Sequence, residues 1–443
     1  MEEKSLMEKI ISLSKRRGFI FPSSEIYGGL AGVWDYGPLG VELKNNIKRE
    51  FWKSMVLSRD DVFGIDAAIF MNPRVWEASG HLESFSDPLV ECRKCNQRFR
   101  ADHQDLILEH ENWHKKRGEE VLWTEPKNFN LLVESYLGTV EGEKSKVYLR
   151  GEITQGVHVN FKNILNTLSP SLPFGVAQIG KAFRNEIAPG NFVFRSREFE
   201  QMELQYYVYP DDKESMEYLE YWKNERLNWY ISLGLKKENL RFRMHEKDEL
   251  AHYAKSAWDI EYNSPFGGFK EFEGIHHRGN WDLKRHSEYS GEDLSYFDSK
   301  TNKRFIPYII ETSGGVDRAV LFFLIDSYFE DKDRVILKLH PKLAPYKVAV
   351  FPLLANKPEL VDFAKKLYND LKLNLNFKIV WDDRGNIGKR YYSQDEIGTP
   401  YCVTVDFDSL KNQDVTIRDR DTAEQIRMPI DKLKSYFEEK INK

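Results

Sequence analysis

The residues of this 443-residue sequence that could act on a charged substrate fall into four groups. The first spans Gln178 to Tyr206. There a period of two puts Gln178, Gly180, Ala182, Arg184 and Glu186 on one face of a strand, and Gln201, Glu203 and Gln205 on one face of the next. A row of charges and amides on a sheet face is costly unless it meets bulk solvent or lines a wet cleft, and the hairpin alone allows either. The arginine fork can hold two oxygens of a phosphate or carboxylate at once. The second group is Asp259 and Glu261 on one strand with Glu271 and Glu273 on one face of the following one. Clustered carboxylates repel unless a cation neutralises them, so this is a candidate Mg²⁺ site or a surface acidic patch. The third is the Gly314-Gly315 turn before an apolar helix carrying Asp317 and Arg318, where free N–H groups and an arginine suit phosphate. The fourth is Cys92-x-x-Cys95, half of a zinc site. His103, His110 and His114 follow, but no second CxxC does, so two reduced thiols in a turn are expected rather than zinc. Neither GxxxxGK[ST] nor GxGxxG occurs, which excludes a P-loop and a dinucleotide-binding Rossmann turn.

The elements that must position these groups can be read from the same patterns. Helical spacing is predicted over 5–17 and, with Pro38 near its start, over 38–57. A strand is predicted from Asp61 to Met71, stopped by Asn72-Pro73. Residues from about 91 to 146 are highly charged and poor in apolar residues, and read as an insertion. Val147 to Phe161 reads as a strand leading into a helix, with Glu152 between Gly151 and Gly156, where small residues allow close backbone approach. A helix is predicted from Asp211 to Leu233, then a strand pair around Gly267-Gly268, then a strand from Phe305 to Glu311 entering a buried helix. After the Pro-bounded segment 340–345, strands and helices alternate over about 100 residues, the mark of a small α/β domain. It carries Arg384, Lys389, Arg390, Arg418, Arg420 and Arg427 without a catalytic constellation, and reads as a binding module.

Composition bounds the rest. A hydrophobic content of 41% and a charged content of 30% describe a globular protein of two or three domains. The charged N-terminal stretch does not read as a signal peptide, and no apolar run is long enough to span a bilayer. Three cysteines rule out a disulfide framework and suit a reducing cytoplasm. A net charge of −5 gives no overall pull toward nucleic acid, so any such binding must use local basic patches.

Three units stand in order: long helix, strand and proline; a strand–loop–strand bearing F-R-x-E; a strand–glycine–helix bearing G-x-D-R. This order resembles the class II aminoacyl-tRNA synthetases. At finer grain FPSSEIYGG, VWDYGPLG, FRADH, FRNEI, REFEQMEL, EFEGI, HPKLAP, DEIGTPYCVTVDF and TIRDRD resemble the homodimeric glycyl-tRNA synthetases over nearly the whole chain. The resemblance implies an α+β fold: an antiparallel catalytic sheet of six or seven strands flanked by helices over 1–340, and an α/β anticodon-binding domain over 345–443. It implies dimerisation through residues 38–73, ATP and Mg²⁺ in the reaction, and glycine and tRNA(Gly) as partners. By the same resemblance Arg184, Glu186 and Arg318 are the catalytic residues. ATP would be held by them with Asn185, Phe194, Arg195, Phe199, Glu271, Phe272, Gly315, Val316 and Asp317, and metal by Glu271. Glycine would be held by Glu152, Phe199, Glu200, Gln201, Met202, Glu203, Glu311, Thr312, Ser313, Gly314 and Gly315, with Arg100 and Arg278 as further candidates. The chain departs from the family pattern R-P-E-T-A-Q-G at Gly151, Ile153 and Thr154 and from E-P-S-x-G-x-D-R at Thr312, where proline and threonine are replaced while the charged and small positions remain. Competing readings are a class II synthetase for threonine, proline or histidine, and a synthetase-like protein without activity, such as the accessory subunit of mitochondrial DNA polymerase.

Overall fold

The structure is a computed structural model that describes residues 4–102, 104–139, 145–246, 249–250, 254–331 and 334–442. His103 lies outside the described residues. Helix α1 (Leu6–Arg17) opens with a Ser5–Glu8 capping box, which satisfies two otherwise orphan N–H groups. Helix α2 (Pro38–Trp52) places proline at its first position and buries Leu39, Leu43, Ile47 and Phe51 at helical spacing. The turn expected to extend it, Lys53–Leu57, is wound as a π-helix.

Seven strands form the central sheet: β1 (Val62–Gly64), β2 (Phe174–Phe183), β3 (Glu198–Val208), β4 (Leu240–Met244), β5 (Ser256–Ser264), β6 (Gly268–Gly279) and β7 (Tyr308–Gly315). Their order is β4-β5-β6-β7-β3-β2-β1, antiparallel throughout except for the parallel β1–β2 edge. Register sets the faces: Glu203 lies opposite Gln178 on β2 and opposite Ser313 on β7. Met202, Leu204 and Tyr206 therefore face the other way, into an apolar layer built with α2, α3 (Asp212–Ser232) and α4 (Val316–Ser327). Every residue of α4 except Arg318 is buried.

Two predicted strands are shorter than their sequence pattern. The strand expected over 61–71 ends at Gly64, because side chains replace a neighbouring strand beyond it. The Ala67 N–H donates to Gln178 Oε1 at 2.9 Å, and its carbonyl accepts from Arg150 Nη1 at 2.6 Å. Asn72 then caps a short helix, Pro73–Ala78, rather than ending a strand. The strand expected from Val147 stops at Leu149, and Glu152 lies in the loop before the helix Thr154–His158.

The segment between these elements holds a three-stranded sheet, Ser86–Glu91 flanked by Arg98–Arg100 and Lys127–Asn130, with the helix Gln104–Lys115. Beyond residue 345, five strands in the order Ile379–Trp381, Val348–Pro352, Tyr401–Val405, Asp414–Asp419 and Gln425–Pro429 surround a separate apolar core. Three of the basic residues read as a binding surface there are structural. Arg390 donates to the Pro352 carbonyl, Arg418 pairs with Asp395 at 2.8 Å, and Arg420 donates to Leu339 and Gly398; all three are buried. Arg384 and Lys389 stay exposed.

Candidate active site

A cleft of about 360 Å³ opens over the polar face of β3 and β7. It is lined by Arg100, Arg184, Glu186, Phe194, Arg195, Phe199, Gln201, Glu271, Phe272, Ser313, Gly315, Asp317 and Arg318 from the sequence-derived set, and by Phe85 and Asp87, which precede the inserted segment.

One end of the cleft is cationic. Arg184 follows the last residue of β2, so its position comes from the loop rather than from strand alternation. Its N–H donates to the Arg197 carbonyl and its Nε donates to the Gly151 carbonyl at 3.1 Å. The guanidinium lies between the rings of Phe85 and Phe199, 5.2 and 5.3 Å from their centroids. Among the described residues its two terminal nitrogens take no hydrogen-bond partner, so the fork presents two donors to the cleft. Arg318 lies across the cleft, 4.5 Å from the Phe194 ring, with Nε on the Phe194 carbonyl at 3.3 Å and Nη1 on Glu271 Oε1 at 3.1 Å. Asp317 points away from it. That carboxylate takes Tyr36 Oη at 2.5 Å, Lys44 Nζ at 2.9 Å and the Glu200 N–H at 2.6 Å, locking the start of α4 to α2 and β3. Glu186 is nearly buried, and its Oε2 has no partner. Burial raises its pKa, against the pull of Arg195 and Arg184. An orphan acceptor aimed into a cleft is suited to an amino group on a ligand.

Behind Gln201 and Ser313 of the cleft wall lies a buried cluster of carboxylates. Glu203 accepts from Thr154 Oγ1 at 2.7 Å, Ser313 Oγ at 2.6 Å and Gln201 Nε2 at 2.9 Å. Glu311 accepts from Gln205 Nε2 at 2.9 Å, Arg278 Nη1 at 3.0 Å and His276 Nδ1 at 3.0 Å, and Thr154 Oγ1 lies 2.9 Å from it. Glu152 lies 3.5 Å from His81 Nε2. Their protonation separates. Burial first, then the negative charges of Glu311 and Glu152, push Glu203 up to about 8. Burial works the same way on Glu152 and Glu311, but His81 and Arg278 hold Glu152 down to about 2, and Arg278 and His276 hold Glu311 well below the usual range. Three carboxyls walled by β-sheet, with one of them poised near neutrality, match a small ammonium group.

The acidic strands differ from their pattern. Glu273 pairs with Ile260 and Glu271 with the adjacent Glu261, so Phe272 is an extra residue and the face inverts between the two glutamates. Glu273 points to the helical layer, where Arg226 Nε at 2.6 Å and Tyr230 Oη at 2.5 Å fix it with no exposure. Glu271 alone faces the cleft, its side chain 57% exposed. Arg318 holds it below the usual carboxylate range, with smaller help from Arg184 and His276. Asp259, raised by burial and by the charge of Glu271, accepts from His245 Nε2 at 2.8 Å. This excess of negative charge beside an exposed oxygen donor fits a hard cation shared with phosphate.

Several sequence candidates take another place. Met202, Thr312 and Val316 are buried toward the helical layer, and a side chain at Gly314 would meet Glu273 Oε2 at 2.7 Å there. Glu200 pairs with Lys44 and Lys48 of α2, at 2.9 and 3.0 Å. These side chains brace the sheet from behind. Arg278 is buried and forks onto Asp282 at 2.8 Å, so it acts through Glu311. Asn185 gives its N–H to the Leu131 carbonyl. Arg100 reaches the cleft beside Asp87, at 2.9 Å. Residues not singled out from sequence include Thr154, His81, His276, Asp282 and Phe85, whose partners lie up to 157 positions away. No local periodicity marks them.

The insertion, expected from its single CxxC to hold two reduced thiols, gathers four donor residues. Cys92, Cys95, His110 and His114 bring one donor atom each within 4.8 Å of one another.

Comparison with known proteins is consistent with this geometry. Residues 138–328 match the family model of the tRNA synthetase class II core domain (G, H, P, S and T), and residues 347–440 match that of the anticodon binding domain. Over 467 aligned residues the chain is 51% identical to the glycine–tRNA ligase of Caldanaerobacter subterraneus subsp. tengcongensis, with 100% of each chain covered. It is 52% identical to that of Borreliella afzelii, covering 98% of this chain and 97% of the relative. It is 50% identical to that of Geobacillus kaustophilus, covering 98% and 99%.

Proposed function

The chain belongs to the glycine–tRNA ligases, a family of class II aminoacyl-tRNA synthetases, and we propose the roles by which its cleft joins glycine to tRNA(Gly). In the first step a glycine carboxylate oxygen attacks the α-phosphorus of ATP, and the bond to pyrophosphate breaks. In the second, the 3′-terminal ribose hydroxyl of the tRNA attacks the glycyl carbonyl, and AMP leaves. Both steps need positioning and neutralisation of charge more than acid–base chemistry.

Arg184 grips the α-phosphate and the glycine carboxylate, using the two donors it presents to the cleft. Glu186 accepts the adenine amino group through its orphan oxygen, with Phe199 stacking on the base. Arg318 and Arg195 meet the outer phosphates. Mg²⁺ brought with ATP would be held at Glu271 and would neutralise phosphate charge. Glu203, with Glu152 and Glu311 behind it, holds the glycine ammonium, and Ser313 closes the space a β-carbon would need. The observation that carries the reading is a cleft with an open arginine fork whose wall residues Gln201 and Ser313 hydrogen-bond to Glu203 of a buried three-carboxylate cluster.

We further propose a division into a catalytic unit, 1–340, and an anticodon-binding unit, 345–443, in a cytoplasmic homodimer. The exposed apolar side chains Val41, Leu57 and Phe70 within 38–73 support a second copy as the partner of that surface. No helix among the described residues is long and apolar enough to cross a membrane. Charging of tRNA with labelled glycine tests the function. Acceptance of glycine by tRNA(Gly) but not by tRNAs for threonine, proline or histidine is expected; charging of one of those tRNAs with its own amino acid would overturn the assignment.

A further inference from the structure

We propose that Cys92, Cys95, His110 and His114 form a structural zinc site that staples the inserted segment and thereby holds one wall of the cleft. The Cys92 sulfur lies 3.7 Å from His114 Nε2, and the Cys95 sulfur lies 3.5 Å from His110 Nε2. A tetrahedral zinc with ordinary Zn–S and Zn–N bonds sets its sulfur and nitrogen ligands about 3.6 Å apart. Two sulfur–nitrogen pairs therefore stand at ligand spacing, and all four atoms lie within 4.8 Å of one another.

The surroundings are those of a built site. The two cysteines sit on one tight turn in which Asn96 takes a φ of +60° and gives its N–H to the Cys92 carbonyl. The histidines are four apart on the helix Gln104–Lys115 and so share a face. His114 uses its other ring nitrogen on Glu119 Oε2 at 2.5 Å, which leaves Nε2 for the metal and orients the ring, as a carboxylate partner does for ligating histidines. Cys92, His110 and His114 are buried.

Physical need points the same way. Among the described residues none from Cys92 to Trp123 joins the larger apolar clusters, and Phe99, Trp113 and Trp123 around His110 make the local core. A segment this small gains little from burial and needs a staple. The strand Arg98–Arg100 runs from the cysteine turn to Arg100 in the cleft, so the staple fixes where that arginine stands. The third cysteine, Cys402, is buried in the C-terminal unit and is a natural control.

Elemental analysis of the full-length protein, purified with zinc present and then dialysed against metal-free buffer, tests the proposal. About one zinc per chain is expected in the wild type and in Cys402→Ser, and a several-fold loss in Cys95→Ser and in His110→Ala. Cobalt exchanged into the wild type gives a second readout that no misfolded variant can confound: intense visible bands of a tetrahedral thiolate site are expected. Metal-free wild-type protein, zinc retained in both ligand variants, or octahedral cobalt spectra would each overturn the site.

Discussion

Thr154 Oγ1 stands between two carboxylates, 2.7 Å from Glu203 and 2.9 Å from Glu311. One hydroxyl hydrogen cannot serve both, so the repulsion of the pair is relieved when one carboxyl carries a proton. Glu203, raised to about 8, is that carboxyl.

Glycine binding should therefore depend on pH. Below pH 8 Glu203 is protonated in the free protein, and an ammonium beside it favours the carboxylate, so binding releases a proton. Affinity for glycine is expected to strengthen from pH 6 to 8, by roughly tenfold per unit at most, and to level above. Stability without ligand runs the other way. The folded state holds an extra proton between the ordinary 4.5 and 8, so this contribution is complete below pH 4.5 and is lost by about pH 8. Calorimetry and denaturant titration of Glu203→Gln should show both slopes flattened; unchanged slopes would remove Glu203 as their source.

Arg184→Ala should lower glycine-dependent pyrophosphate exchange by about 10²–10³-fold, the usual cost of losing an aimed donor in a charge-stabilising site. Arg184→Lys should recover little, since an ammonium cannot span two oxygens. Near-normal exchange in either variant would take the residue out of the phosphate grip.

Ser313→Gly removes the hydroxyl that donates to Glu203 at 2.6 Å. Discrimination between glycine and alanine in adenylate formation should fall by about tenfold or more, within the range one small group commands. Selectivity equal to wild type would show that another wall excludes the methyl.

Glu273 and Arg226 form an ion pair with no exposure on the helical side of the sheet. Arg226→Leu leaves a buried charge and should cost about 3–5 kcal/mol, whereas replacing both by leucines should recover most of it. Chemical denaturation of the two variants distinguishes them. Equal losses would contradict the placement of Glu273 away from the cleft.

The hairpin was legible over Gln178 to Ala182 and Gln201 to Gln205, where the register leaves the alternation intact, whereas Arg184 and Glu186 lie past the end of β2 and are placed by the loop. Alternation misled where registry breaks: the extra residue Phe272 separates Glu271 from Glu273, and only the pairing with β5 reveals it. The expected strand over 61–71 ended early for a similar reason, since Gln178 and Arg150 from distant segments satisfy the Ala67 backbone. The four donor residues of the insertion stand as C-x2-C-x14-H-x3-H, a zinc spacing that is legible once a histidine pair on one helix face is counted in place of a second CxxC. Thr154, His81 and Asp282 carried no signal, because buried polar networks are assembled by tertiary contact rather than by local spacing.

The most direct measurement is ATP–pyrophosphate exchange with each proteinogenic amino acid in turn, on wild type and Arg184→Ala. Exchange with glycine alone, abolished or nearly so in the variant, is the expected result. Exchange driven by another amino acid, or none with glycine, would contradict the reading of the carboxylate cluster as a glycine site.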